Sequence, residues 1–332
     1  MEGWVALSRV ESSTLAKEGE REELIRKAKL IMFKELTLPK LLIVPALALI
    51  GLFVVFPLVW SVVMSFTNYS MLGATAKHWG FIGLANYWWV LTDPVFQSAV
   101  VNSFIFTAAS ALIGQVVLGL ALAVVMRMKE PEGWLGIVTK ALKIIAGTLV
   151  FISWIIPEVV AGYCWAATMS RGGLFTIFFG INYDFYIKHP LEAMIIANIW
   201  RGTAFSMILF MAALESIPSY IYEAAEVDGA TPWQRFRYVT FPLISNAILV
   251  DLILITVWTF GLFTLIFTLI GTQASYMWTI YVYVLATGRL GPPWTGPGPL
   301  STAAAAADIM FVIVLALIVG YLYALRRMRR WA

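Results

Sequence analysis

Six stretches of the chain, at about 41–66, 100–126, 142–167, 191–214, 242–270 and 301–325, are apolar on every side and long enough to cross a bilayer. A hydrocarbon core about 30 Å thick requires roughly 20 helical residues. Inside it every backbone N–H and C=O must be bonded within the protein, which leaves helices and closed barrels. Barrel strands are shorter and alternate apolar with polar residues, and these runs do not. The expected fold is an all-α membrane protein of six transmembrane helices, with both termini on one side. Composition agrees: 61% of residues are apolar, 13% are charged and the mean hydropathy is +0.83, against about 45–50% and 25% for soluble domains. No stretch between the runs is long enough for a second core. The expected organisation is a basic extension over residues 1–40, one membrane domain over 41–325 and a basic tail over 326–332.

Lys and Arg are retained on the cytoplasmic side of spans. An inside N-terminus places eighteen of the 23 basic residues there: eight before the first run, then Arg127, Lys129, Lys140, Lys143, Arg235, Arg237 and the tail Arg326, Arg327, Arg329 and Arg330. Lys77, Arg171, Lys188 and Arg289 fall outside, and Arg201 falls within the fourth run. Both termini, and the connection between the fourth and fifth spans, are therefore expected in the cytoplasm, with the chain in the cell membrane.

These boundary charges produce the formal charge of +4 and the pI near 9.1, and they suit lipid headgroups rather than a nucleic acid. The single Cys164 excludes an intrachain disulfide and a Cys-based metal cluster. The charged segment ahead of the first run is unlike a cleavable signal, so that span is expected to be retained. Within this segment Leu24, Ile25, Leu30, Ile31 and Phe33 alternate with basic residues, which suits a helix on the inner membrane surface or a solvated basic tail. Tyr69, Trp79, Tyr87, Trp88 and Trp89, and later Tyr276, Trp278, Tyr281 and Tyr283, are expected at the outer headgroups. Met277 to Ala286 is too short to cross and reads as an interfacial or re-entrant helix. Gly291 to Pro299, with Pro292, Pro293 and Pro297, reads as a stiff external loop.

The cytoplasmic connection from Glu223 to Leu243 spells EAAEVDGATPWQRFRYVTFPL. Ser219 is a suitable N-cap for a first helix, and Gly229 can adopt the left-handed conformation that ends one. Thr231, Pro232 and Gln234 then match a capping box with proline at N1. The prediction is a helix, a glycine turn and a second helix. Glu223, Glu226 and Asp228 present acid on the first, while Ala224 and Ala225 permit close approach by another backbone. A groove lined by Arg or Lys would suit that face. Trp233 and Phe236, three residues apart, form an apolar stripe for the bundle or the inner headgroups.

The order Glu223-Ala224-Ala225, Asp228-Gly229-Ala230, Phe236 and Phe241-Pro242-Leu243 resembles the EAA loop of permease subunits of bacterial and archaeal ABC importers. Flanking text is similar to the maltose, trehalose and glycerol-phosphate branch: Gly83-Leu84-Ala85-Asn86-Tyr87, Asp93-Pro94-Val95-Phe96 and Leu214-Glu215-Ser216-Ile217-Pro218. The resemblance runs from about Pro45 to the end of the sixth span, with the EAA loop at 215–241. It departs at Ile270 to Ser275, where the branch often shows a Thr-Gly-Gly-Gly-Pro-like turn. The resemblance implies a type I importer permease forming half of a sugar pathway, for a disaccharide or oligosaccharide. Its implied partners are a second homologous permease, two cytoplasmic ATPase subunits that hold ATP and magnesium, and an external substrate-binding protein. Glu223 would face a basic residue of the ATPase, Ala224 and Ala225 would line the contact, and Gly229 would make the turn. Asp228 would dock or hold the loop's own shape.

Polar residues inside spans are costly and face a cavity or one another. Gln115, Glu158, Asn198, Arg201, Asp251 and Asp308 are the candidates. Arg201 either binds substrate hydroxyls or pairs with Glu158, Asp251 or Asp308, and pairing is the favoured expectation. Trp258, Phe260, Gly261 and Phe263 fall where the resembled family lines its pathway, with ordinary helix packing as the alternative. His78 and His189 both lie in external connections, so a histidine metal site or acid–base cluster is not expected. No GxxxxGK[ST] loop occurs, so catalysis of ATP hydrolysis is not expected of this chain. A secondary transporter or channel working without ATP is the alternative from another class.

Overall fold

Proline opens three of the long helices. Pro94, Pro190 and Pro299 each stand at a helix start, where the missing N–H has no intrahelical partner to lose and φ is already helical. In the computed structural model, which describes residues 26–27, 43–71, 74–271, 277–287 and 296–328, the described chain is helical apart from turns and one isolated bridge, Thr67 with Phe81. It divides into two compact units, residues 1–61 and 62–332.

The described part of the first unit is mostly helix α1, Ile43–Ser65, with a π-helical turn at Gly51–Val55; the helix ends within the second unit. The expected interfacial helix of the N-terminal extension lies outside the described residues, Arg26 and Lys27 excepted, as does most of the proline-rich external loop.

The second unit continues with α2 (Ala85–Thr92) and α3 (Pro94–Arg127), which is π-helical over Thr107–Gln115. Asp93 caps α3 by accepting from the Val95 amide at 2.9 Å, and its other oxygen accepts from the Tyr281 hydroxyl at 2.6 Å. Helix α4 spans Trp134–Ile155 and α5 spans Glu158–Met169. The third span expected at 142–167 thus starts earlier, at Trp134, and is interrupted at Ile156 and Pro157. Proline lacks the N–H and restricts the residue before it to extended conformations. The short helix α6, Leu174–Phe179, leads to α7, Pro190–Glu215. A helix pair follows: α8 is Ser219–Val227 and α9 is Pro232–Leu243. Helix α9 bends by 65° into α10, Ser245–Phe260.

Alone, the 16 residues of α10 reach only about 24 Å, less than a bilayer core. Together with α9, across the 65° bend, α10 reaches the length and apolarity of a span; beyond an unwound segment at Gly261 to Phe263 the chain continues as α11, Thr264–Ile270. Last come α12 (Trp278–Ala286) and α13 (Pro299–Met328). Helix α12 does not lie on a surface. Trp278, Ile280, Tyr281, Val284 and Leu285 are buried, the Trp278 indole donates to the Ala306 carbonyl at 3.0 Å, and Phe96 packs edge-on against the indole.

The resembled Gly83 to Tyr87 stretch also has a physical role. Asn86 is fully buried, donates to the Ser65 and Thr67 carbonyls at 2.7 Å each, and accepts from Thr302 at 2.9 Å. Tyr87 donates to Asp308 at 3.0 Å. The span charge Asp308 is thereby engaged by Tyr87 rather than by Arg201. Deeper in, α3 and α7 approach closely at Gly119, where an added Cβ would lie 2.5 Å from the Ser206 Cβ.

Candidate functional site

Two places collect the chemistry that the spans leave exposed. The first is the helix-turn-helix between α7 and α10. Helix α8 starts one residue later than expected: Pro218 occupies the N-cap, and Ser219 is the first helical residue. Pro218 already holds the extended backbone that an N-cap requires, at φ −61° and ψ 140°. The far end matches the expectation. Gly229 sits at φ +76°; its amide donates to Glu226 and the Ala230 amide to Ala225, each at 3.0 Å. These two bonds are the Schellman pair that satisfies carbonyls at a helix end. Asp228 is the C-cap, so its backbone rather than its carboxylate closes the helix. Thr231 and Gln234 then form both bonds of a capping box. An Arg235 to Glu226 ion pair ties the two helices together.

Helix α8 is two-faced. Ile221 and Tyr222 pack against a buried cluster of Ala123, Met207, Phe210, Leu214, Ile217 and Ile244 at the neighbouring ends of α3, α7 and α10. Glu223 and Ala224 are exposed, and Ala225 is half-buried. Among the described residues, Glu223 makes no ion pair. Trp233 stacks on Phe236 with centroids 5.7 Å apart, but only Phe236 turns inward, toward Phe241. A cavity of about 460 Å³ opens beneath the pair, lined in part by Arg127, Lys129, Tyr222, Glu223 and Arg235.

The second place is a cavity of about 440 Å³ among the spans. Both helix interruptions border it: Trp154 and Glu158 flank the break at Pro157, and Gly261 to Phe263 are the unwound segment itself. Irregular backbone at membrane depth is tolerated where it lines a cavity. Here the Leu262 carbonyl freed by the break accepts from Thr279 at 2.9 Å. Arg201 reaches into this space from α7. Its Nη2 lies 3.2 Å from Glu158 Oε1, and its guanidinium lies 5.3 Å from the Trp154 ring centroid. Its Nε is buried with no partner. Trp154, Phe205 and Trp258 pack together with centroids 4.7 to 5.6 Å apart, and Trp258 keeps 44% of its surface exposed. Gln115 lies over Gly202, where a Cβ would come within 2.2 Å of it, and donates to the Asn198 carbonyl at 3.1 Å. Asn198 in turn donates to Ser110 at 2.8 Å.

Of the seven residues expected along a substrate path, the structure gathers Glu158, Asn198, Arg201, Trp258, Gly261 and Phe263 around this one cavity. Asp251 is elsewhere. It is fully buried and bonded to Ser206 at 3.0 Å, and that enclosure removes it from any solute. Arg201 pairs with Glu158, not with Asp251 or Asp308. Sequence reasoning passed over Trp154, although Pro157 three residues later marks the break that exposes it. It also treated Arg127 only as an orientation charge.

A set of apolar helices with a polar cavity at two helix breaks, and a connecting helix pair seated on the ends of three helices, is the build of a membrane transport subunit. The chain belongs to the family of binding-protein-dependent transport system inner membrane components, whose family model matches residues 115–330. It is 30% identical to a probable ABC transporter permease protein of Pyrococcus horikoshii, over 85% of this chain and 94% of that one. It is 27% identical to the trehalose/maltose transport system permease protein of Thermococcus litoralis, over 88% and 95%. Its fold is similar to a chain in the crystal structure of a bacterial alginate ABC transporter in complex with alginate pentasaccharide-bound periplasmic protein. That match has a TM-score of 0.71 at 20% identity and covers 89% of this chain and 96% of that one.

Proposed function

We propose that the chain is one of two permease subunits of an ATP-driven importer for a sugar, a disaccharide or oligosaccharide, and that α8 is the element docked by the ATPase. The observation that carries the reading is the two-faced α8: its inner face packs on three span ends, and its outer face offers Glu223 with no ion pair among the described residues. Six spans form half of a pathway, so a second homologous permease completes it. Two cytoplasmic ATPase subunits hold ATP and magnesium, and an external binding protein delivers the solute. Closure of the ATPase pair displaces the α8 helices, and the spans exchange an inward-open for an outward-open packing. Such an exchange requires contacts that differ between the two states. Relatives named for trehalose and maltose support a sugar as cargo. So does the cavity, where the exposed indole of Trp258 offers a stacking face beside Arg201 and Glu158. The test is co-purification of a Walker-motif ATPase with this chain, followed by reconstitution with the binding protein and a screen of sugars for stimulated ATP hydrolysis. A complex that transports solute without any ATPase subunit would refute the reading.

A further inference from the structure

Arg127 is the last residue of α3. Its guanidinium donates to the Leu214 carbonyl in the last turn of α7 and to the Ile217 carbonyl, 3.4 Å away, in the connection to α8. The same group lies 5.2 Å from the centroid of the Tyr222 ring, on α8 itself. The Tyr222 hydroxyl is 3.2 Å from Thr240 Oγ1, in the segment that bends into α10. One side chain of α3 therefore holds the end of α7 and the middle of α8, and through Tyr222 it reaches the entry to α10.

The chemistry suits arginine in particular. The last carbonyls of a helix lack intrahelical donors and carry the negative end of its dipole. A planar guanidinium can serve two of them while stacking on an aromatic face, whereas an ammonium is a point charge with no plane to stack. Glu226 pairs with Arg235 and Tyr222 with Thr240, both on α9; what remains between α8 and the span ends, through Ile221 and Tyr222, is apolar packing, which has no direction of its own. Such packing resists separation more than it resists sliding. The bonds of Arg127 are directional and set the register of α8 against the span ends.

We infer that Arg127 is the positioning residue that makes α8 and the inner ends of α3 and α7 move as one body, so that displacement of α8 reaches the spans instead of dissipating within the loop. The inference rests on the reading of α8 as the ATPase-docking helix. The test uses the assembled complex with spin labels at Met128→Cys and Ser219→Cys, two positions on the shared cavity, in a Cys164→Ser background. The inter-label distance is measured without nucleotide and after trapping with ATP and vanadate. With Arg127 in place, one distance is expected in both states. Arg127→Ala and Arg127→Lys should add a second, displaced population on trapping, while the complex stays assembled and hydrolyses ATP. A single unchanged distance in both variants overturns the inference, as does a native pair that already shifts on trapping. If Arg127→Ala fails to assemble, Arg127→Lys and Tyr222→Leu decide in the same way; Tyr222→Leu leaves the carbonyl bonds of Arg127 intact. Failure of the native chain to assemble with any ATPase would instead overturn the docking reading, and this inference with it.

Discussion

Replacing Gly119 by alanine adds a single methyl group where the structure leaves no room for one. The new Cβ would stand 2.5 Å from the Ser206 Cβ, 2.9 Å from the Met207 nitrogen and 3.1 Å from the Ser206 carbonyl carbon. Carbon atoms rest at about 3.5–4.0 Å, so the overlap is roughly 1 Å. Two of the three neighbours are backbone, which no rotamer change can move aside, so α3 and α7 must separate. Overpacking of this kind costs about 1–3 kcal/mol, against a helix-propensity gain of about 1 kcal/mol for Gly to Ala. Separation also disturbs Ser206, the donor to the fully buried Asp251, and a buried carboxylate that loses a bond adds to the cost. Packing and propensity together give a loss of about 0–2 kcal/mol, to which the disturbed Ser206–Asp251 bond adds about 1–3 kcal/mol if it is lost. Gly147→Ala on α4 is the matched control: its nearest neighbours are Met126 Cε at 3.8 Å and Sδ at 3.9 Å, an ordinary contact. That change should be neutral or stabilising. The assay is the inactivation half-life of the purified complex at one fixed temperature, because irreversible unfolding is read as a rate. If Gly119→Ala survives as long as Gly147→Ala, the close approach of α3 and α7 is refuted.

Glu223→Lys should abolish co-purification of the ATPase or its coupling to transport, and normal uptake by this variant would refute the docking role. Gly229→Ala meets no atom within 4 Å but keeps φ at +76°, so its cost is backbone strain alone, about 1–2 kcal/mol. Limited proteolysis of the loop should show faster cleavage than in the native chain. Trp258→Ala should raise the apparent KM for sugar-dependent uptake with little change in thermal stability, and an unchanged KM would remove the indole from the pathway. Glu158→Gln leaves Arg201 with only the Trp154 face as its described charge-stabilising neighbour. For this partly exposed pair the stability loss should stay at or below about 1 kcal/mol, while uptake changes more than stability does.

The loop was legible because its signals are local. A capping box requires Thr231 and Gln234 three residues apart, and a helix-ending turn requires a residue, Gly229, that tolerates positive φ; neither depends on what packs nearby. The single error there, Ser219 for Pro218 as N-cap, is also local: extended backbone at the cap outweighed side-chain capping. The third span was misplaced because Trp134 to Ile145 carries Lys140 and Lys143 among apolar residues, which reads as a boundary. In the structure Lys143 donates to the Met128 carbonyl and pairs with Glu130 at 3.2 Å, so the charge is answered and the helix continues.

From the sequence alone came the class of protein, its apolar spans and the shape of the helix-turn-helix element. Those properties follow from apolar length and from short-range capping, both of which are written along the chain. Only the tertiary structure decided which charge meets which. Arg201 had three candidate carboxylates and pairs with Glu158 because the break at Pro157 brings that residue to the cavity, while Asp251 turns to Ser206 and Asp308 to Tyr87. The same holds for Arg127, an orientation charge in the sequence and a tie between α3, α7 and α8 in the fold. Its partners lie nearly a hundred residues away, and a contact over that separation is set by how helices pack, which no local pattern encodes.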